Sequence, residues 1–174
     1  MTTRFQTRPQ PGETSDYFTM YTGLVPDGNI IEILRGQNAE SLAMLEGISE
    51  ERANHRYEVG KWSIKEVVGH LTDMEWAFTY RAMRFARGDQ TPLPGLDQDV
   101  LVAGAGFENR TLSSLATEWR NQRAASTTLF ESLPEEVLAR TGVASDSPFS
   151  VRGLMYVIAG HELHHQRVLR ERYL

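Results

Sequence analysis

Near its C-terminus the chain reads Gly160-His161-Glu162-Leu163-His164-His165-Gln166, so three of its five histidines fall within five positions. His161 and His165 stand four residues apart, about one helical turn, a spacing at which two imidazoles reach a single metal ion. With Glu162 between them they match His-Glu-x-x-His, the helix motif of zinc proteases, in which the glutamate is the general base of metal-assisted hydrolysis. Such a protease needs a third protein ligand further along. Six residues beyond His165 stands Glu171, Val168 replaces the glycine of the extended motif, and the sequence runs only to Leu174. No strand that would align a peptide is predicted. The chain is therefore expected not to be a zinc protease.

A third ligand must then come from upstream. His55 lies in a polar connector beside Asn54 and Arg56 and is expected to face solvent. His70, in "VVGHLTDMEW", sits three residues after Val67 and four before Met74, bordering an apolar stripe. It can point into a helical core, with Gly69 beside it allowing a close approach. His164 would have to replace His165 rather than join it, so it is a pocket candidate rather than a ligand. Three neutral imidazoles leave coordination open for water or substrate, a catalytic pattern rather than a closed structural one. Histidine ligation suits zinc, nickel, iron or copper, with zinc, nickel and iron expected first. The chain has no cysteine, which removes disulfides and thiolate ligands.

The elements that must position these residues follow from periodicity and capping. Residues 1–27, with Pro9, Pro11 and Pro26, read as an irregular arm whose aromatics Phe5, Tyr17, Phe18 and Tyr21 pack on the rest. Asp27 is a candidate cap for a helix from about Gly28 to Ile48, with Ile30, Ile31, Leu34, Leu42 and Leu45 on one stripe. Ser63 and Glu66 fit a capping box that opens a second helix, running to about Arg87 and stopping at Gly88. A short helix is predicted near Asp97–Phe107 and a third long helix over Thr111–Ser132. A helical turn follows Pro134, "TGVASDSPF" reads as loop, and a last helix runs from Ser150 to about Arg172. On that helix Val151, Leu154, Ile158, His161, His165 and Val168 alternate by threes and fours, the inward seam of a bundle. The expected class is all-α: a four-helix bundle with an N-terminal arm and a short extra helix between the second and third long helices, forming a single domain over residues 1–174.

Composition narrows the partners. A formal net charge of −5 argues against a phosphate-binding surface, hence no nucleic acid. No apolar run is long enough to span a membrane, and the N-terminus lacks an apolar signal region, so a cytoplasmic protein acting on a small molecule is expected. Around the histidines, Asp73 could orient an imidazole, while Glu162 reads as a helix-surface carboxylate at the rim of the pocket or in solvent. The arginines Arg81, Arg84 and Arg87 offset a helix dipole, or bind an anion. Trp62 and Trp76 are expected to pack in the core or at helix entry.

Two segments, "GKWSIKEVVGHLTDMEWAFTYRAMRFARGD" and "VRGLMYVIAGHELHHQRVLRERYL", resemble the signature segments of the DinB/YfiT-like superfamily. The combination of Trp-Ser-x-x-Glu-x-x-x-His with a terminal His-x-x-x-His carries the resemblance, and "RPQPGE" and "PLPGLDQD" fit it. It implies a four-helix bundle around one divalent metal held at His70, His161 and His165. It further implies a possible homodimer and an activity of one of two kinds: transfer involving a low-molecular-weight thiol, slightly preferred, or metal-dependent hydrolysis. A different class stays open on the residues alone, a non-catalytic bundle that binds a small ligand or serves in a stress response.

Overall fold

A computed structural model describes residues 4–174; residues 1–3 of the expected arm lie outside the described residues. The arm is more ordered than its composition implies. After the proline-rich start it forms a helix, α1 (Asp16–Thr22), and residues 8–27 are tied down by Arg8, which donates to the Thr22 and Val25 carbonyls (both 2.8 Å). Glu13 adds a second anchor, accepting from Arg152 Nε at 2.6 Å.

The first long helix, α2 (Ile30–Leu45), starts two residues later than predicted, because Asn29 rather than Asp27 caps it: its Oδ1 accepts from the Ile31 and Glu32 amides. One turn, α3 (Glu50–Ala53), follows. In α4 (Ile64–Ala86) the predicted capping box is present in both directions, and the helix gives way at Gly88, where φ is +82°. The short helix α5 (Gln98–Ala105) is capped by Asp97, α6 (Leu112–Ser132) by Thr111 and α7 (Val151–Arg172) by Ser150. A 3-10 turn over Glu135–Val137 stands where Pro134 implied one.

One segment departs from its prediction. The stretch expected as loop is a hairpin, β1 (Thr141–Ala144) paired antiparallel with β2 (Ser147–Ser150). Its two-residue turn puts Ser145 and Asp146 at φ of 51° and 57°, the type I′ geometry that matches strand twist. Four-residue strands and a Ser-Asp turn in place of Asn-Gly give the sequence little signal. The hairpin packs where Gly142 lies against the Phe85 ring with no room for a Cβ.

Among the described residues, α2 packs on α6 and α7, and α4 packs on the same two helices. Consecutive long helices α2 and α4 thus lie across the diagonal of the bundle, a connectivity that chain order does not imply. The apolar core is divided. One cluster holds Ile31 and Leu34 of α2, Phe78 and Phe85 of α4, Phe130 of α6 and Leu154 and Ile158 of α7. The other holds Leu45, Val67, Leu71, Leu115, Trp119 and Leu169 from the same four helices. Between them runs a buried polar belt: Gln37, Asn38 and Ser41 on α2, His70 and Glu75 on α4, Gln122, Arg123 and Ser126 on α6, and His161, Glu162 and Gln166 on α7. Burying so many polar groups is costly unless each finds partners, so this belt is where function or specificity resides.

Candidate metal centre

Two adjoining helices, α4 and α7, build the centre. His70 is buried at 2% exposure and His161 at 7%, while His165 is partly buried toward a cavity. Their side chains converge on one point. His161 Nε2 lies 3.1 Å from His70 Nε2 and 3.2 Å from His165 Nε2, and all three donor atoms lie within 4.8 Å of one another. Small residues next to two of them let other segments pack close beside the centre. Gly160 meets the backbone of Tyr21, and Gly69 meets the Phe107 ring, each too closely for a Cβ. Trp62 closes one side, with its ring 4.7 Å from that of His70, and Tyr21 closes another, 5.4 Å from the His161 ring.

Three imidazoles in this arrangement cannot satisfy one another. A neutral imidazole carries one N–H, so if His161 Nε2 donates to one neighbour it faces the other without a proton. A shared cation removes the conflict, and four-coordinate zinc with Zn–N of 2.0–2.1 Å sets ligand nitrogens about 3.3 Å apart. The two approaches to His161 fit that spacing. Among the described residues no carboxylate or further histidine joins the group.

Electrostatics keep the imidazoles neutral. Burial lowers the pKa of His70 to about 4 and, with His70 and His164 adding to it, that of His165 to about 3. Burial and the neighbouring imidazoles press His161 well below its usual value. In the unfolded chain each would titrate near 6.5. The metal-free protein should therefore hold its full stability above pH 6.5 and lose it as the pH falls, because the unfolded chain binds protons that the folded one refuses. Between pH 6 and 5 the loss approaches about 1.4 kcal/mol per pH unit for each histidine. Urea unfolding of chelator-treated protein across that range checks this, and His70→Gln should remove about one histidine's share of the slope.

The remaining candidates lie elsewhere. His164 stacks near Tyr21 (5.5 Å) and His165 (5.1 Å) and lines a cavity of about 300 Å³ with Tyr57, Lys61, Trp62 and His165. Asp73 makes no hydrogen bond to His70 among the described residues. It faces a separate groove with Trp76 and Tyr80, where burial first, and Glu118 second, raise its pKa. Trp76, expected inside, is 56% exposed in that groove.

Glu162 corrects the surface reading outright, being 1% exposed. It accepts from Ser41 Oγ at 2.6 Å and from Arg123 at 2.8 Å. Arg123 also grips Glu75 through two 2.8 Å bonds and donates to the Leu34 carbonyl. Burial opposes the charge on Arg123, but Glu162 and Glu75 more than offset it. With its oxygens held this way, Glu162 is a core anchor rather than a free base. The sequence carried a sign of this: from Gly153 to Gly160 α7 has no charged residue, and all are buried, because α1, α2 and α4 all pack on it.

A family description of the DinB superfamily matches residues 33–169, which include all three converging histidines. No curated protein matches the sequence significantly. Among solved structures the chain is similar to YfiT from Bacillus subtilis, reported as a probable metal-dependent hydrolase with an unusual four-helix bundle topology. The two share 14% identity over 97% of each chain with a TM-score of 0.72, a likeness that establishes the fold. No helix among the described residues is long and apolar enough to cross a membrane. By the extent of the family match, the chain belongs to the DinB superfamily.

Proposed function

We propose that this protein is a divalent-metal-dependent hydrolase in which His70, His161 and His165 hold one cation. The observation that carries the reading is the convergence of three neutral imidazoles, two buried and one partly buried, with no fourth protein ligand among the described residues. When bound, a divalent cation supplies a Lewis acid that lowers the pKa of a water or thiol bound to it. The chain's own part is to present three Nε2 atoms without a proton cost and to wall the site with Trp62 and Tyr21. Clefts reach the histidines from two sides, one along His164 and His165 and the other along Tyr21 and His161. The nitrogen-only donor set suits zinc, nickel or iron. The description of YfiT as a probable metal-dependent hydrolase favours hydrolysis, and transfer of a low-molecular-weight thiol would use the same centre.

Metal analysis of untagged protein tests the first step. About one equivalent of metal per chain, or uptake of one on titration with a rise in melting temperature, is expected. Less than about a tenth of an equivalent with no uptake would sink the proposal. Assays of the loaded protein against ester and amide panels, with and without added thiol, separate hydrolysis from thiol transfer.

A further inference from the structure

Three side chains with a formal positive charge are buried in the core: Lys65, Arg81 and Arg123. Two of them have carboxylate partners. Lys65 pairs with Glu50 at 2.7 Å, and Arg123 with Glu75 and Glu162. Arg81, only 4% exposed, makes no ion pair among the described residues. Its Nη2 donates to the Pro94 carbonyl and to Ser145 Oγ, both at 3.0 Å. The N–H groups of Nε and Nη1 have no protein acceptor among the described residues and are open to solvent. Burial lowers the Arg81 pKa, yet an arginine stays charged in a protein. A largely buried charge without a counter-charge is costly, and an anion bound at its open side would offset that cost.

The space in front of Arg81 says what that is. Arg81 lines a cleft of about 210 Å³ whose other walls include Phe18, Tyr21, Phe78 and His161. The Phe78 ring centre lies 5.9 Å from the guanidinium carbon and 6.1 Å from the His161 ring centre, so one phenyl ring separates the cation from the histidine cluster. On its other side Arg81 and Leu96 border a larger, mainly apolar groove of about 500 Å³ with Trp76, Tyr80 and Leu93, where Asp73 also lies without pairing to Arg81. One cation among mainly aromatic and aliphatic walls, with Gln98 and Ser145 as the neutral polar edge of the cleft, suits a singly charged ligand with an apolar body. A phosphate, which takes several donors and more than one positive charge, is poorly served, because no lysine or second arginine lines the cleft.

We propose that Arg81 is the anion-binding residue of a substrate subsite, and that the substrate is a small carboxylate with an aromatic or apolar body. The carboxylate accepts hydrogen bonds from the free Arg81 N–H groups, and the body lies between Phe18, Tyr21 and Phe78 with its far end at His161. The subsite rests on the metal-centre reading only for its role as a substrate site. Its binding chemistry needs no metal.

The probes are 3-phenylpropionate and the neutral 3-phenylpropionamide, titrated by calorimetry and by amide NMR shifts into metal-free and metal-loaded protein. The acid should bind at least about tenfold more tightly than the amide, with shifts at α1 and at α4 near Phe78. Arg81→Gln should erase that preference while leaving amide binding and metal uptake unchanged. Arg81→Lys, which keeps the charge if the glutamine variant is unstable, should retain part of it. Arg84→Gln, on the same helix but paired with Asp89, should behave as the parent. Equal affinity for acid and amide, no binding of the acid below about 10 mM, or unchanged preference in Arg81→Gln would overturn the subsite. Arg81-dependent binding by protein that takes up no metal would leave the subsite standing and remove the metal centre instead.

Discussion

Replacing His161 with alanine is expected to lower divalent-metal affinity by more than about 100-fold, beyond the 10- to 100-fold typical for losing a partner that merely orients a ligand. His161 is the hinge of the cluster, since its Nε2 approaches both His70 and His165. Without it the two outer imidazoles could hold an ion only as a pair. His164 does not take its place, because it lies along the flank beside Tyr21, outside the converging set. The metal-free variant should behave differently. It loses an imidazole whose protonation burial opposes, so its stability should fall less steeply than the parent's between pH 6.5 and 5. Competition with a chromogenic chelator reads the first effect and urea unfolding the second. Metal affinity within about tenfold of the parent would place the ion elsewhere.

The second large effect belongs to Arg123. Arg123→Met should destabilise the fold by about 3–5 kcal/mol, the cost of leaving buried charges without their partner. Glu75 and Glu162, both nearly inaccessible, would face each other with no cation between them. Burial already holds the Glu162 carboxyl above its usual value, and losing the opposing pull of Arg123 would push it further up, so the folded variant would bind a proton that the unfolded chain releases. The deficit should therefore be smallest near pH 4.5 and grow as the pH rises toward 7. Adding Glu75→Gln and Glu162→Gln to Arg123→Met should recover much of the loss, because no net charge then stays buried. Glu162→Gln alone should lower stability but not metal uptake, since Glu162 is not among the converging donors. A catalytic base in the protease manner would instead give normal stability with activity lost.

Much of this molecule was legible in its residues. The Ser63–Glu66 capping box is present as predicted, and the helices predicted from Thr111 and Ser150 start one residue later with those residues as their caps, because a cap is a local hydrogen bond between neighbours in the chain. The seam from Val151 to His165 set His161 and His165 on one face, and the position of His70 beside Val67 and Met74 turned it inward. Those are consequences of helical period, and they brought the same three histidines together. The hairpin at residues 141–150 was not legible, since strands of four residues are fixed by packing against Phe85 and bridging to Leu93 rather than by their own pattern.

Glu162 and Arg81 mark the boundary. Period alone places a residue on a side of its helix, but only the packing of neighbouring helices decides whether that side is buried. α1 folding back onto α7, and α2 lying diagonal to α4, bury flanks that an isolated bundle helix would leave wet. That packing turned an apparent surface glutamate into one arm of a buried ion network. It also left Arg81 in the core without a carboxylate, facing the histidines across one phenyl ring. The sequence by itself determined the helices and the ligand-type residues, because both depend on contacts a few positions apart. Tertiary structure decided which charges are paired and which are open, because charge pairing depends on distances between helices that the chain's order does not contain.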